Sequence, residues 1–417
     1  MPVPLHALLA ATLALAPVPA GGLDASFGDR GKAYADFGAG RDTEIAADLA
    51  VTGKGQVLAV GTVETGGVSR WAVARWRRNG ALDHGFSGNG RAVTAIGDSD
   101  AAHTVELRGS GRSLVGGTSD GRFALVAYRA DGTLDPGWGT DGVVTTDLPA
   151  GAATVLDLLL LDDGSVLAGG IAGDRLAVAH YGADGELVDV VTSAHPFAGT
   201  VNGVEVQPDG SLLATGVGVT DDDGVRGVRT EWVDAAGLPE PGFGTAGGVT
   251  TYAADSEGNL GNVVRHQPDG TVLVGGSAYG PGDYRYQMLL RYLPDGSLDP
   301  SFGRGDGYTD DLFDYYSQAD DLAVQDDVRI VAVGWAAGED PHRVAVSRYT
   351  AAGVLDASFN GKGYRTIAYG EGSPTVASSW SEGRAVALAG DRIYAVGGVR
   401  FGVGKHDVAF VGVRLGR

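Results

Sequence analysis

Short apolar stretches separated by glycine-containing turns fill this chain, and none of them sustains a helical period. A first stretch such as IAADLAV (residues 45–51) or VLDLLLL (155–161) is followed by a two-residue turn signal, as in Asp163-Gly164, Asp209-Gly210 or Asp269-Gly270. Such pairs suit hairpin turns that need positive φ. A second stretch ends in glycine, as in VLAVG (57–61), VLVGG, IVAVG and IYAVG. After a polar segment comes an alternating one: WAVARW (71–76), FALVAYR (123–129), MLLRY (288–292) or VAVSRY (344–349). Another turn follows, Asn79-Gly80, Asp131-Gly132, Asp184-Gly185 or Asp295-Gly296, and then a short fourth stretch such as GRAVTAI (90–96). The pattern predicts four short antiparallel strands in each unit.

One phrase punctuates every unit. It reads LDASFGDRG at Leu23, LDHGFSGNG at Leu82, LDPGWGTDG at Leu134, LPEPGFGTAGG at Leu238, LDPSFGRGDG at Leu298 and LDASFNGKG at Leu355. A degenerate copy starts at Leu187, where ELVDVV lacks the aromatic and the glycines, so a weakened outer strand is expected there. The starts lie roughly 50–60 residues apart, and four hairpin-linked strands in that length make one propeller blade. A β-solenoid would use shorter coils without two successive hairpins. First strands near Ile45, His103, Val155, Asn202, Val263, Asp321 and Ala385 predict an all-β, seven-bladed β-propeller of four-stranded antiparallel blades. The first strand, the most apolar, should line the axis, with the fourth outermost. The last repeat supplies only three strands (384–390, 392–398, 407–415), whereas the chain opens on a complete phrase and a fourth-type strand, GKAYADF (31–37). Residues 31–37 should therefore complete the last blade and close the ring.

The phrases LDxSFGxxG, PDGxxLxxG and xxRYxxDGxLD resemble those of the delta-60 repeat family of bacterial β-propeller proteins, from Leu23 to the end of the chain. The resemblance implies a propeller fold and an exported or surface-associated protein. It implies no catalytic residues.

Composition sharpens this picture. Glycine contributes 70 of 417 residues without a collagen period, as many tight turns require. A net charge of −21 disfavours nucleic acid as a partner, since a polyanion is repelled. The absence of cysteine removes disulfides, thiolate metal sites and cysteine nucleophiles. An apolar run over residues 5–15, then Val18 and Ala20, predicts a signal peptide over residues 1–20 and a single mature domain over 21–417. No later segment offers eighteen uninterrupted apolar residues, so no membrane span is expected in the mature chain.

Candidates for chemistry are few. The phrase aromatics (Phe27, Phe86, Trp138, Phe243, Phe302, Phe359) recur too regularly for a binding site and read as buried plugs. Gly117-Thr118-Ser119-Asp120-Gly121 matches a nucleophile pattern but lacks the strand–turn–helix setting that would expose the serine. Asp255, Glu257 and Asn259, and the run Asp221–Asp223, read as solvated loops, and the eight histidines show no ligand spacing. One row varies from repeat to repeat: Ala47, His103, Leu156, Asn202, Asn262, Asp320 and Arg384, near the start of the innermost strand. Its polar members, His103, Asn202, Asn262, Asp320 and Arg384, should converge at one mouth of the axial channel as a ligand site. The chain thus reads as an exported, monomeric, non-catalytic binding or structural module for a protein or glycan, secreted or cell-surface associated and without a cofactor. Variable loops at 62–70, 217–229 and 277–285 would supply recognition. A metal-assisted hydrolase or lyase at the channel mouth is the alternative.

Overall fold

The computed structural model describes residues 18–38, 43–220, 226–252, 258–282, 284–338, 342–369, 380–400 and 408–417. Every regular element among them is a strand, 28 in all. They contain no helix long and apolar enough to cross a membrane. The apolar run at 5–15, Asp221–Asp223 and the pair Asp255 and Glu257 lie outside the described residues.

The strands fall into antiparallel sets of four in sequence order, as the hairpin signals require. The innermost members are Thr43–Val51, Asp100–Leu107, Ala153–Leu160, Gly199–Val206, Gly258–His266, Tyr316–Val324 and Trp380–Ala389. Single bridges, Ile45 to Gly398 and Arg285 to Tyr316, tie neighbouring sets into larger sheets. The second strands are buried almost throughout, Val57–Thr65 and Ile330–Ala337 among them, because both of their faces pack against adjacent sheets. Lys32–Ala35 pairs with the C-terminal strand Val408–Gly416, Lys32 opposite Val413 and Ala35 opposite Phe410.

One expectation needs correction. Residues 62–70 are not a loop: Val57–Thr65 and Val68–Trp76 run together through a Gly66-Gly67 turn, because alternation continues right up to the glycine pair. The outer strand of the degenerate repeat, expected to be weak, is exposed over its first three residues although it is the longer one. Leu187–Thr192 has six residues where Arg91–Thr94 and Val143–Thr146 have four. Without a phrase to accommodate, the chain turns straight back after Tyr181 and pairs at once.

The phrases themselves are the mortar. Phe27, Phe86, Trp138, Phe243, Phe302 and Phe359 are at most 1% exposed. Each docks on the glycine turn of the next repeat. The amide after the aromatic donates to that turn's carbonyl: Gly28 to Asn79 at 2.7 Å, Ser87 to Asp131 at 2.6 Å, Gly139 to Asp184 at 2.7 Å and Gly303 to Ala352 at 2.8 Å. The approach leaves no room for a side chain, since a Cβ on Gly80 (φ 80°) would lie 2.2 Å from the Gly28 nitrogen. In four of the six phrases the aspartate also holds an arginine over the same ring. Arg75 bonds Asp83 at 2.9 Å and lies 4.7 Å from the Phe86 centroid. Arg291 bonds Asp299 at 2.7 Å and lies 4.6 Å from Phe302, and Arg348 repeats this with Asp356 and Phe359. The guanidinium also donates to the next repeat's turn, Arg75 to the Ala130 carbonyl and Arg291 to that of Ala351, both at 2.6 Å.

The N-terminal segment follows the same rule. Arg414 bonds Asp24 at 3.0 Å and lies over Phe27, while the Ala20 carbonyl accepts from Asn360 at 3.0 Å, beside the Phe359 plug.

Because each plug joins two repeats, Phe302→Ala is expected to cost about 3–5 kcal/mol. Leu187→Ser, at a site 45% exposed, should change stability by no more than about 0.5 kcal/mol. Denaturant unfolding of the two variants checks this.

Candidate functional site

The seven row residues are one structural device. In each innermost strand the ladder to the second strand skips one residue: Ala47, His103, Leu156, Asn202, Asn262, Asp320 and Arg384 in turn. A bulge of this kind sets two residues against one and re-aims the extra side chain. All seven line a single cavity of about 650 Å³ bounded by the seven innermost strands.

The cavity does not treat them alike. Asn262, Asp320 and Arg384 are brought together. Asp320 Oδ1 accepts from Gln318 Nε2 at 2.5 Å and lies 3.5 Å from Asn262 Nδ2 and 3.7 Å from Arg384 Nη1. Arg384 in turn donates to Glu382 at 2.7 Å. Asn202 spends its amide on the Gly261 carbonyl at 2.8 Å, and Asn262 likewise on that of Ala319 at 2.9 Å. His103 lines the cavity without a bond to the other four among the described residues. Burial pushes its imidazole down to about 4 and Asp320 up to about 7, although Arg384 pulls the carboxyl the other way.

The residue after the bulge is what sequence reasoning missed. Asp48, Asp157 and Asp321 also face the cavity. Each accepts from a backbone amide of the next innermost strand: Val105, Val206 and Val386, all at 2.8 Å. Glu205 does the same for His266 at 2.5 Å. Between the fifth and sixth innermost strands the tie is Arg265, which donates to Asp321 at 2.6 Å and to the Leu322 carbonyl at 3.3 Å. Burial, with the charge of Asp321 added, raises Asp48 to about 7, and burial raises Asp157 to about 6. Burial opposes the charge of Arg265 as well, but the carboxylates of Asp321, Glu205, Asp157 and Asp48 hold it above its usual value. The signal was present: an aspartate interrupts the apolar stretches ADLAV, LDLLL and DDLAV at one aligned position.

The nucleophile-like motif is occupied otherwise. Ser119 donates to buried Asp100 at 2.7 Å, and Asp120 and Gly121, both with positive φ, make the hairpin turn after it. Among the described residues no three His, Asp or Glu side chains gather as a metal ligand set.

Residues 55–86 and 267–302 match the family model described as "Domain of unknown function (DUF5122) beta-propeller". Each match spans two strands and runs into a phrase. The fold is a β-propeller. No curated protein matches the chain in sequence. Solved structures of similar shape include a protein of unknown function from Dyadobacter fermentans at 12% identity, covering 93% of this chain and 98% of that one, with a TM-score of 0.44. The polysaccharide lyase Uly1 has 11% identity, coverage of 89% and 90%, and a TM-score of 0.48. The propeller domain of the Trilobed protease from Pyrococcus furiosus has 8% identity, coverage of 88% and 93%, and a TM-score of 0.41.

Opposite pH signatures are expected from the propeller's channel. The folded Asp48 carboxyl holds its proton more tightly than the unfolded one, so its contribution to stability declines as pH rises from 3.8 to about 7. Asp48→Asn lacks that decline, and its Tm relative to the parent should climb from about pH 5 to about pH 7.5. Folded His103 resists protonation, so the parent loses stability as pH falls from 6.5 to about 4. His103→Gln should therefore gain on the parent toward acid. Thermal melts across this range measure both.

Proposed function

We propose that this chain is an exported, non-catalytic seven-bladed β-propeller whose ring is closed by its N-terminal strand and which binds a protein or glycan at one mouth of the channel. The blade count is supported by the seven innermost strands around one cavity. Closure is supported by the ladder between Lys32–Ala35 and Val408–Gly416. The chain's apolar leader supports export.

One observation carries the binding role. The recurring phrase is consumed in packing at one edge of the sheets, whereas the row at the opposite edge changes from repeat to repeat and presents polar groups to open space. A rigid scaffold with a varied rim is what recognition requires. The enzyme alternative needs a set of carboxylates or imidazoles free to act on a substrate, whereas Asp320 and Glu382 are spanned by Arg384 and Asp48, Asp157, Glu205 and Asp321 each accept from a backbone amide of the next innermost strand.

Closure predicts that removing residues 21–37, which takes away the Phe27 plug and a paired strand, lowers Tm by about 10 °C. An unchanged melt would overturn it. For binding, immobilised full-length protein should capture a saturable component of the native envelope or a glycan array. The double variant His103→Ala/Arg384→Gln should lose about tenfold or more in affinity, measured at a temperature where its circular dichroism matches the parent's.

A further inference from the structure

Every exposed aromatic side chain among the described residues lies on one edge of the propeller. Tyr252, Tyr279, Tyr315, Tyr316 and Trp380 are each 37–46% exposed. Tyr252 and Tyr315 belong to connections that lead from an outer strand to the next inner one. Tyr316 and Trp380 begin inner strands, and Tyr279 ends a second strand. In antiparallel sheets these positions share an edge, and it is the edge where the channel row opens.

The rings are held from beneath. Arg285 lies 4.9 Å from the Tyr279 centroid and 5.5 Å from that of Trp335. Trp335 stacks on His342 at 4.2 Å, and His342 meets Trp380 edge-on at 4.8 Å. Arg400 covers Trp380 at 5.4 Å. Six planar groups from three consecutive repeats thus form one ladder with an exposed ring near each end. A small cavity of about 80 Å³ opens beside Trp380, lined also by Glu382, Glu44 and Arg400. Glu382 connects it through Arg384 to Asp320 in the channel. The Asp320 side chain is 8% exposed, yet its Oδ2 has no hydrogen-bond partner, and the residue faces the cavity. His342 Nδ1 is likewise buried and unpartnered.

We propose that this rim is a binding site for a neutral oligosaccharide, with Trp380, Tyr316 and Tyr279 as stacking platforms and Asp320 and Glu382 accepting sugar hydroxyls. The inference rests on the binding reading above and assigns its ligand. Pre-set aromatic faces bury the C–H face of a pyranose at little entropic cost. The recessed acceptors suit a hydroxyl-rich chain that can reach between the rings. A protein interface would want the aromatics fused into an uncharged centre, but Asp314, Gln318, Glu382 and Arg285 are interspersed with them. Neutrality follows from charge: Glu44 and Glu382 outnumber Arg400 in the small cavity beside Trp380, in a chain carrying −21, which repels uronic or sulfated glycans.

The test is titration of the full chain with cellohexaose, laminarihexaose, maltohexaose and a galacturonate hexamer, followed by tryptophan fluorescence and calorimetry. At least one neutral hexasaccharide should bind, and more tightly than the galacturonate. Trp380→Ala, an exposed site, should weaken that binding about tenfold at unchanged Tm, and Asp320→Asn should weaken it as well. The proposal is overturned if no neutral hexasaccharide binds, if galacturonate binds tighter, or if Trp380→Ala binds as the parent does. If these fail while His103→Ala/Arg384→Gln still abolishes capture of an envelope component, the neutral-glycan assignment falls and the broader binding reading survives.

Discussion

The structure depends on one contact repeated around the molecule: a phrase aromatic seated against the glycine turn of the next repeat, clamped at four of the six aromatics by an arginine that the phrase aspartate holds in place. The contact unites three terms that are weak apart. Burial of a large ring contributes on the order of 2–3 kcal/mol. The cation over its face adds about 1 kcal/mol, and the buried Arg–Asp pair is worthwhile only because the guanidinium's other donors also find carbonyls. Arg75 illustrates the set: one nitrogen on Asp83, another on the Ala130 carbonyl, and its plane over Phe86. Neighbouring sheets share few backbone bonds, so this contact and the packed second strands are what hold one sheet to the next.

That arrangement divides the molecule's two edges. Phrases and Asp-Gly turns occupy one edge, where sterics fix the residue type, as the space around Gly80 shows. The bulge row and the aromatic rim occupy the other, where no neighbouring turn presses on the side chains and composition is free to differ between repeats. The contacts that fix packing and the residues free to vary thus lie at opposite ends of the same strands, and a change at Trp380 or Arg384 leaves the clamps untouched.

The channel imposes a second constraint. Seven innermost strands border one cavity, and as sheet edges they leave some of their amides facing away from the ladder to the second strand. Asp48, Asp157, Asp321 and Glu205 accept from such amides. Burial then makes ionising these carboxyls costly, and Arg265 is held among four of them to offset that cost. The polar lining is thus first a structural answer to unsatisfied backbone.

Much of this was legible in the sequence because it is local. Hairpin glycines, two-residue alternation and the recurring phrase depend on neighbours a few positions apart, so they fixed the strands, the buried fate of Phe27 through Phe359 and the outer-strand character of residues 31–37. The row from Ala47 to Arg384 was legible too, since repeats can be aligned with one another. What the sequence alone left hidden depends on contacts between repeats. The aspartate caps join residues 57, 49 and 65 positions apart, and the ladder from Tyr279 to Arg400 draws on strands of three repeats. Whether Asp48 stabilises a neighbour's amide or merely interrupts an apolar stretch is settled by which strand packs beside it, and that is a property of the assembled sheets.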